Sequence, residues 1–198
     1  MLINSSSLRF APLLFSLVLA GCAGSDNASH RAAYLLPETP ASQQYDARLS
    51  VTVAPVTTAA FLDDDGIVMQ LNHIEIHQAR HHQWAEALPD QLRQLLIQRL
   101  ATAMPEAQIV ARGQPQGPAP VREVRLQLDR FQGRFDGVAL IRGHWQILNE
   151  QKTLLKQQPF AVEVPLNADG YPELVRALAS GWEQVADQLA PALADSIK

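Results

Sequence analysis

Between Val124 and Val164 apolar and polar residues alternate through three successive stretches, and this pattern limits the fold more than any other feature of the chain. Val124, Leu126 and Leu128 are interleaved with Arg125, Gln127 and Asp129. Successive side chains of a strand point to opposite faces, so the alternation predicts a strand with one buried and one wet face. Phe131 falls out of step, which predicts a bulge near Arg130. The segment Gln132–Gly137 carries turn residues. From Val138 to Leu148 the chain returns as a strand with Ile141, Trp145 and Ile147 on one face. A second turn falls at Asn149–Lys152, and Leu154–Val164 then places Phe160, Val162 and Val164 in alternation. Three strands joined by tight turns form an antiparallel meander.

A sheet with one apolar face must bury it, and two amphipathic helices are available to cover it. In the first, Leu88, Leu92, Leu95, Leu96, Leu100, Ala103 and Met104 recur at steps of three and four. Pro89 suits its first turn and Pro105 stops it. Its polar face mixes Asp90, Arg93, Gln94 and Arg99, whereas a membrane-surface helix would be strongly cationic there. In the second, Leu174, Leu178, Trp182, Val185, Leu189 and Leu193 form one stripe, and Pro191 is expected to kink or end the regular helix. Further short strands are read at Leu49–Val53, Ile67–Leu71, Ile74–Ile76 and Gln108–Ala111, with a break at Asn72. Tyr34-Leu-Leu36 reads as a short strand or a docking clip, and Trp84 as a plug at the near end of the core. Gly113–Pro120 reads as a flexible loop. The economical result is a two-layer α+β domain: an antiparallel sheet with both amphipathic helices packed on one face, its other face and its edges free.

The segments with chemical potential are few. Asp63-Asp-Asp-Gly66 has the residues of a calcium loop but not the spacing of an EF-hand, so it reads as a solvated turn. His73, His77, His81 and His82 would form a metal stripe on a helix. Here Ile74 and Ile76 alternate with His73, Glu75 and His77, which is the pattern of a strand with a polar face. Ser180-Gly181 lies inside the second helix, and no Gly-x-Ser-x-Gly elbow or zinc-type histidine motif occurs. No catalytic, cofactor or metal residue is assigned, and an enzyme is not expected.

The amino-terminal end sets the cellular context. Phe10–Leu19 is an apolar run of ten residues behind one cation, Arg9, and it ends at Leu19-Ala20-Gly21-Cys22. That is the layout of a secretory signal, too short for a span, which needs roughly 20 apolar residues. Cys22 is the only cysteine. Leu-Ala-Gly-Cys resembles the lipobox of bacterial lipoproteins, which implies a cut before Cys22, a diacylglycerol on its sulfur and an acyl group on the new amino terminus. Residues 1–21 are then the signal peptide, 22–33 a lipidated tether of small and polar residues, and 34–198 one domain. Acylation through more than one chain holds a protein stably on a membrane. Ala23 follows the cysteine where an aspartate retains some lipoproteins at the inner membrane, so the outer membrane is expected. Losing Arg9 with the signal moves the net charge from −4 to −5, and a nucleic-acid partner is not expected of so acidic a chain. With its cysteine lipidated the domain has no disulfide to lean on, and its apolar core alone must hold it.

The order of several segments is similar to that of the ABC-type transport auxiliary lipoproteins. They are Cys22, Tyr34-Leu-Leu36, Leu49–Val56, Phe61-Leu-Asp63 with Ile67-Val68, and Trp84–Leu88. Then come Val124–Phe131, Gly137–Leu140 with Trp145, and Tyr171 with Leu174–Leu178. The resemblance implies an outer-membrane lipoprotein facing the periplasm, working beside an ABC-type transporter and a protein with mammalian-cell-entry (MCE) domains. It implies that the lipoprotein receives the far end of a lipid-carrying MCE tube and assembles as a homo-oligomeric ring. The acidic turn at 63–65 and the histidine-rich stretch 73–82 depart from that pattern. The competing reading is a lipoprotein that binds a lipid or other apolar ligand on its own.

Overall fold

The computed structural model describes residues 31–197. The expected signal peptide, Cys22 and the tether as far as residue 30 lie outside the described residues. In chain order the strands are β1 (Ala32–Tyr34), β2 (Ser50–Val53), β3 (Thr57–Thr58), β4 (Gly66–Gln70), β5 (Ile76–Trp84), β6 (Gln108–Ala111), β7 (Val121–Arg134), β8 (Val138–Asn149) and β9 (Leu154–Pro165). Helix α1 (Leu88–Ala103) follows β5, and helix α2 (Tyr171–Asp195) follows β9.

The class is α+β, with helices on a sheet. Strands β7, β8 and β9 form the antiparallel meander, and the register slips between Leu128 and Arg130, where the parity of Phe131 broke. The sheet as a whole is mixed, not antiparallel throughout. The free edge of β7 is shared in turn by β2, β3 and β4, all parallel to it: Ser50 opposite Val121, Thr57 opposite Gln127, and Met69 opposite Gly133. Residues 50–70 therefore act as one interrupted strand that follows β7. Pro55, which carries no amide hydrogen for a ladder, and the turn at Asp63–Asp65 set the interruptions. Strand β6 then pairs parallel to β2, β5 pairs antiparallel to β4, and β1 pairs parallel to β5.

Helix α2 covers the face built from Val124, Leu126, Phe131, Ile141, Trp145 and Ile147, all at most 2% exposed, and α1 lies beside α2 against β6. The indole nitrogen of Trp182 donates 3.0 Å to the Leu92 carbonyl and so ties α2 to α1. The guanidinium of Arg99 grips Asp187 with bonds of 2.9 and 2.7 Å and reaches the Thr39 carbonyl at 2.8 Å. The chain from Leu36 to Tyr45 is thus a strap across the helices, pinned also by Leu36 N to Gln91 Oε1 at 3.0 Å and Tyr45 N to the Ala103 carbonyl at 2.7 Å. Helix α2 continues through Pro191 to Asp195 instead of ending there. The lost hydrogen bond falls near the last turns, where buried Leu189, Ala190, Ala192 and Leu193 hold the helix by packing.

Two further expectations are corrected. The second face of β2 is not free: Ser50 and Thr52 are buried, because residues 113–120 fold over them. Gln116 Nε2 donates 2.6 Å to Thr52 Oγ1, and Gly117 N donates 2.5 Å to Gln108 Oε1, so this loop is fastened to the sheet. Strand β1 takes in Ala32 and Ala33, which the composition had placed in the tether; Tyr34 ends it, and Leu35 and Leu36 lie beyond the strand.

Candidate functional site

The described residues that chemistry could use fall in two places. At one end of the molecule, the carboxy-terminal ends of β4 and β7 meet the start of α2. There Met69, Leu71, His77, Phe135, Tyr171 and Leu174 help to line a cavity of about 380 Å³. Gly133 makes its floor possible: a Cβ there would run into the Met69 sulfur and come within 2.9 Å of Leu174 Cδ2. Gly170, with φ of 102°, bends the chain into α2, and Pro172 occupies its first turn. Tyr171 stacks on His82 at 4.0 Å, and His82 Nδ1 lies 2.9 Å from the Tyr34 hydroxyl. Burial, with Tyr34 adding to it, raises the pKa of the Tyr171 hydroxyl. The walls are largely apolar.

The second place is a buried carboxylate on the opposite face of the sheet. Glu123 on β7 is 1% exposed and is met by three cations. Arg112 Nη2 donates to Oε1 at 2.5 Å, Arg125 Nε to the same oxygen at 2.6 Å, and Lys152 Nζ to Oε2. Burial alone would push this carboxyl up, but the bonds from Lys152, Arg125 and Arg112 outweigh it and hold its pKa at about 2. Lys152 reaches it from the β8–β9 turn, where it sits at φ of 62°. The carboxylate clamps the end of β6, β7 and that turn together through these three cations.

The four histidines do not converge. His73 meets Phe135 edge-on at 5.3 Å, His77 lines the cavity, His82 stacks on Tyr171, and His81 is exposed. Among the described residues no three His, Cys, Asp or Glu side chains gather in a metal-binding group. Asp63 and Asp64 are used locally, Asp63 accepting from Thr58 Oγ1 at 2.5 Å and Asp64 from Gly66 N at 3.3 Å. Gly181 serves packing, since a Cβ there would collide with Ile141 and approach Val164. Both the cavity and the Glu123 clamp escape sequence reading, because their parts lie 100 and 40 residues apart respectively. The one available signal was charge: Glu123 occupies the expected wet face of a strand with Arg125 beside it.

The described residues form an α+β domain with an apolar cavity at one end. No described helix is long and apolar enough to cross a membrane. The chain belongs to the ABC-type transport auxiliary lipoprotein family, whose model matches residues 34–190. It is 35% identical over 179 residues to the intermembrane transport lipoprotein PqiC of Escherichia coli, covering 88% of this chain and 91% of that one. The same figures hold for PqiC of Shigella flexneri. A crystal structure of an uncharacterized protein superposes with a TM-score of 0.68 at 27% identity, over 79% of this chain and 99% of the other. A crystal structure of a Xanthomonas campestris protein reaches 0.70 at 16% identity, over 83% and 96%, which is a likeness of fold.

Proposed function

We infer that this chain is an outer-membrane lipoprotein that serves as the non-enzymatic auxiliary component of an intermembrane lipid transport system. In this reading the signal peptide 1–21 is removed and Cys22 carries the diacylglycerol and the amino-terminal acyl group. The tether leads from it to the domain, which faces the periplasm. The domain docks the far end of an MCE-protein conduit, and copies of the chain assemble into a ring around it. The observation that carries the reading is the 35% identity to PqiC over 88% of the chain, since a match of that extent covers the domain and not a fragment of it.

The test is affinity isolation of the full-length lipoprotein from detergent-solubilised envelopes. An MCE-domain protein of the same cell should be recovered in near-stoichiometric yield. Its absence from a preparation that retains the lipoprotein overturns the docking role. The cavity at the start of α2 favours a second reading, that the domain holds an apolar ligand itself, because its volume falls within the range of roughly 300–1,000 Å³ of small-molecule sites. Native mass spectrometry of the purified domain separates the two: a stoichiometric co-purifying lipid supports the second.

A further inference from the structure

The geometry points to the cavity end of the domain as a membrane-contacting tip. Leu71, Ile74, Ile76 and Phe135 rest against the bilayer that holds the acylated Cys22, a proposal that rests on the lipoprotein reading above and deepens it. Ile74 is 96% exposed, and Leu71, Ile76 and Phe135 are between 44% and 49% exposed. Leu71, Ile74 and Phe135 come from two separate turns, 71–75 and 135–137, which the sheet brings side by side because β4 runs parallel to β7, and Ile76 opens β5 directly after the first turn. His73 against Phe135 links the two turns. Leu71 and Phe135 line the same cavity, and exposed apolar side chains gathered at one end in this way mark contact with a protein or a membrane.

The turn that carries Ile74 is held rigidly. Asn72 Oδ1 accepts from the backbone amides of Ile74 and Glu75 at 3.0 Å each, and Asn72 Nδ2 donates to Glu75 Oε2 at 2.9 Å. Leu71 N closes the hairpin on the Glu75 carbonyl at 2.9 Å. Ile74 is therefore presented outward by construction. The neighbouring Arg134 is occupied by Asp136 and Glu163, at 2.8 and 2.7 Å, so the ring of Phe135 projects from a turn whose charges are paired.

The direction of β1 selects the bilayer as the occupant. Strand β5 starts at the tip with Ile76 and runs away from it, and β1 lies parallel to β5 with Ala32 opposite His82. The chain therefore enters β1 at Arg31 from the tip side. His82 is six residues past Ile76, a distance of roughly 20 Å along a strand. Cys22 is ten residues before Ala32 and reaches roughly 33–36 Å when extended, enough to meet the plane of the tip with slack. The acyl chains and the apolar side chains can then enter one surface together, so that a stable anchor also acquires a fixed orientation.

The test uses the full-length lipidated chain carrying Ile74→Cys, purified in detergent and reconstituted into vesicles of phosphatidylethanolamine and phosphatidylglycerol. The single native thiol is taken up in the thioether, so an environment-sensitive fluorophore labels position 74 alone. A Gln151→Cys chain, labelled in the β8–β9 turn at the far end of the meander, is the control. Brominated acyl chains should reduce the emission at 74 roughly two-fold and leave that at 151 unchanged, because an interfacial side chain sits roughly 5–10 Å into the headgroup–acyl boundary. A chain that floats with the vesicles while 74 stays unquenched overturns the tip contact and leaves the anchor standing. A blue-shifted label at 74 without bromine quenching also overturns it, in favour of a second copy or another protein on the tip. A chain that does not float at all removes the anchor and this proposal with it.

Discussion

Replacing Glu123 by glutamine removes one charge and almost no volume from the clamp on the outer face of the sheet. In the folded chain its carboxyl titrates at about 2 against 4.5 in the unfolded chain. At roughly 1.4 kcal/mol per unit that shift sets an upper bound of about 3 kcal/mol. The carboxylate is buried, but Arg112, Arg125 and Lys152 are 46%, 44% and 58% exposed, so water screens their side of the contact. The working figure for Glu123→Gln at neutral pH is therefore about 1–2 kcal/mol of lost stability. Because the folded pKa is depressed, the contribution is complete above 4.5 and disappears as the pH falls towards about 2. Gln stands in for the protonated acid, so the two proteins converge in acid. Urea unfolding of both chains, followed by the fluorescence of buried Trp145 and Trp182 at a series of pH values, reads the gap directly. A gap that is absent at pH 7, or equally large at pH 7 and pH 2.5, refutes the reasoning.

Trp182→Ala should cost about 3–5 kcal/mol, because it empties a site between the helices and the sheet and removes the donor to Leu92; a thermal melt that falls by only a degree or two would contradict this. Gly143→Ala should destabilise by about 2 kcal/mol or more, since the added methyl group meets the Gln127 carbonyl across the β7–β8 ladder and lies 2.9 Å from Phe160. A denaturation midpoint unchanged from the parent would show that the ladder yields there without cost. Cys22→Ser should leave the domain folded and release it from the outer-membrane fraction of fractionated cells; unaltered sedimentation in the absence of its partners would count against the lipid anchor.

The near-face alternation of the meander, the bulge before Phe131 and the stripe of α1 from Leu88 to Met104 could be read from the sequence because each depends on residues close in the chain. A strand or helix declares its buried side through a local period, and Pro89 and Pro105 mark where the stripe begins and ends. The direction in which β2, β3 and β4 pair with β7 could not be read, since alternation is the same for parallel and antiparallel neighbours. Nor could the burial of Ser50 and Thr52, which depends on a loop 60 residues away folding over them. Among the histidines the sequence offered spacing alone, and the bulged β4–β5 pairing decided that His77 faces a cavity and His82 a tyrosine.

By itself the chain order specified two amphipathic helices and a three-stranded meander, because a local period is enough for each. Only the tertiary structure decided that Glu123 is a clamp, that Met69, Gly133 and Leu174 surround a cavity, and that Ile74 and Phe135 share one tip. These features join residues remote in sequence, and the pairing of distant strands that brings them together is a property of the whole packed sheet.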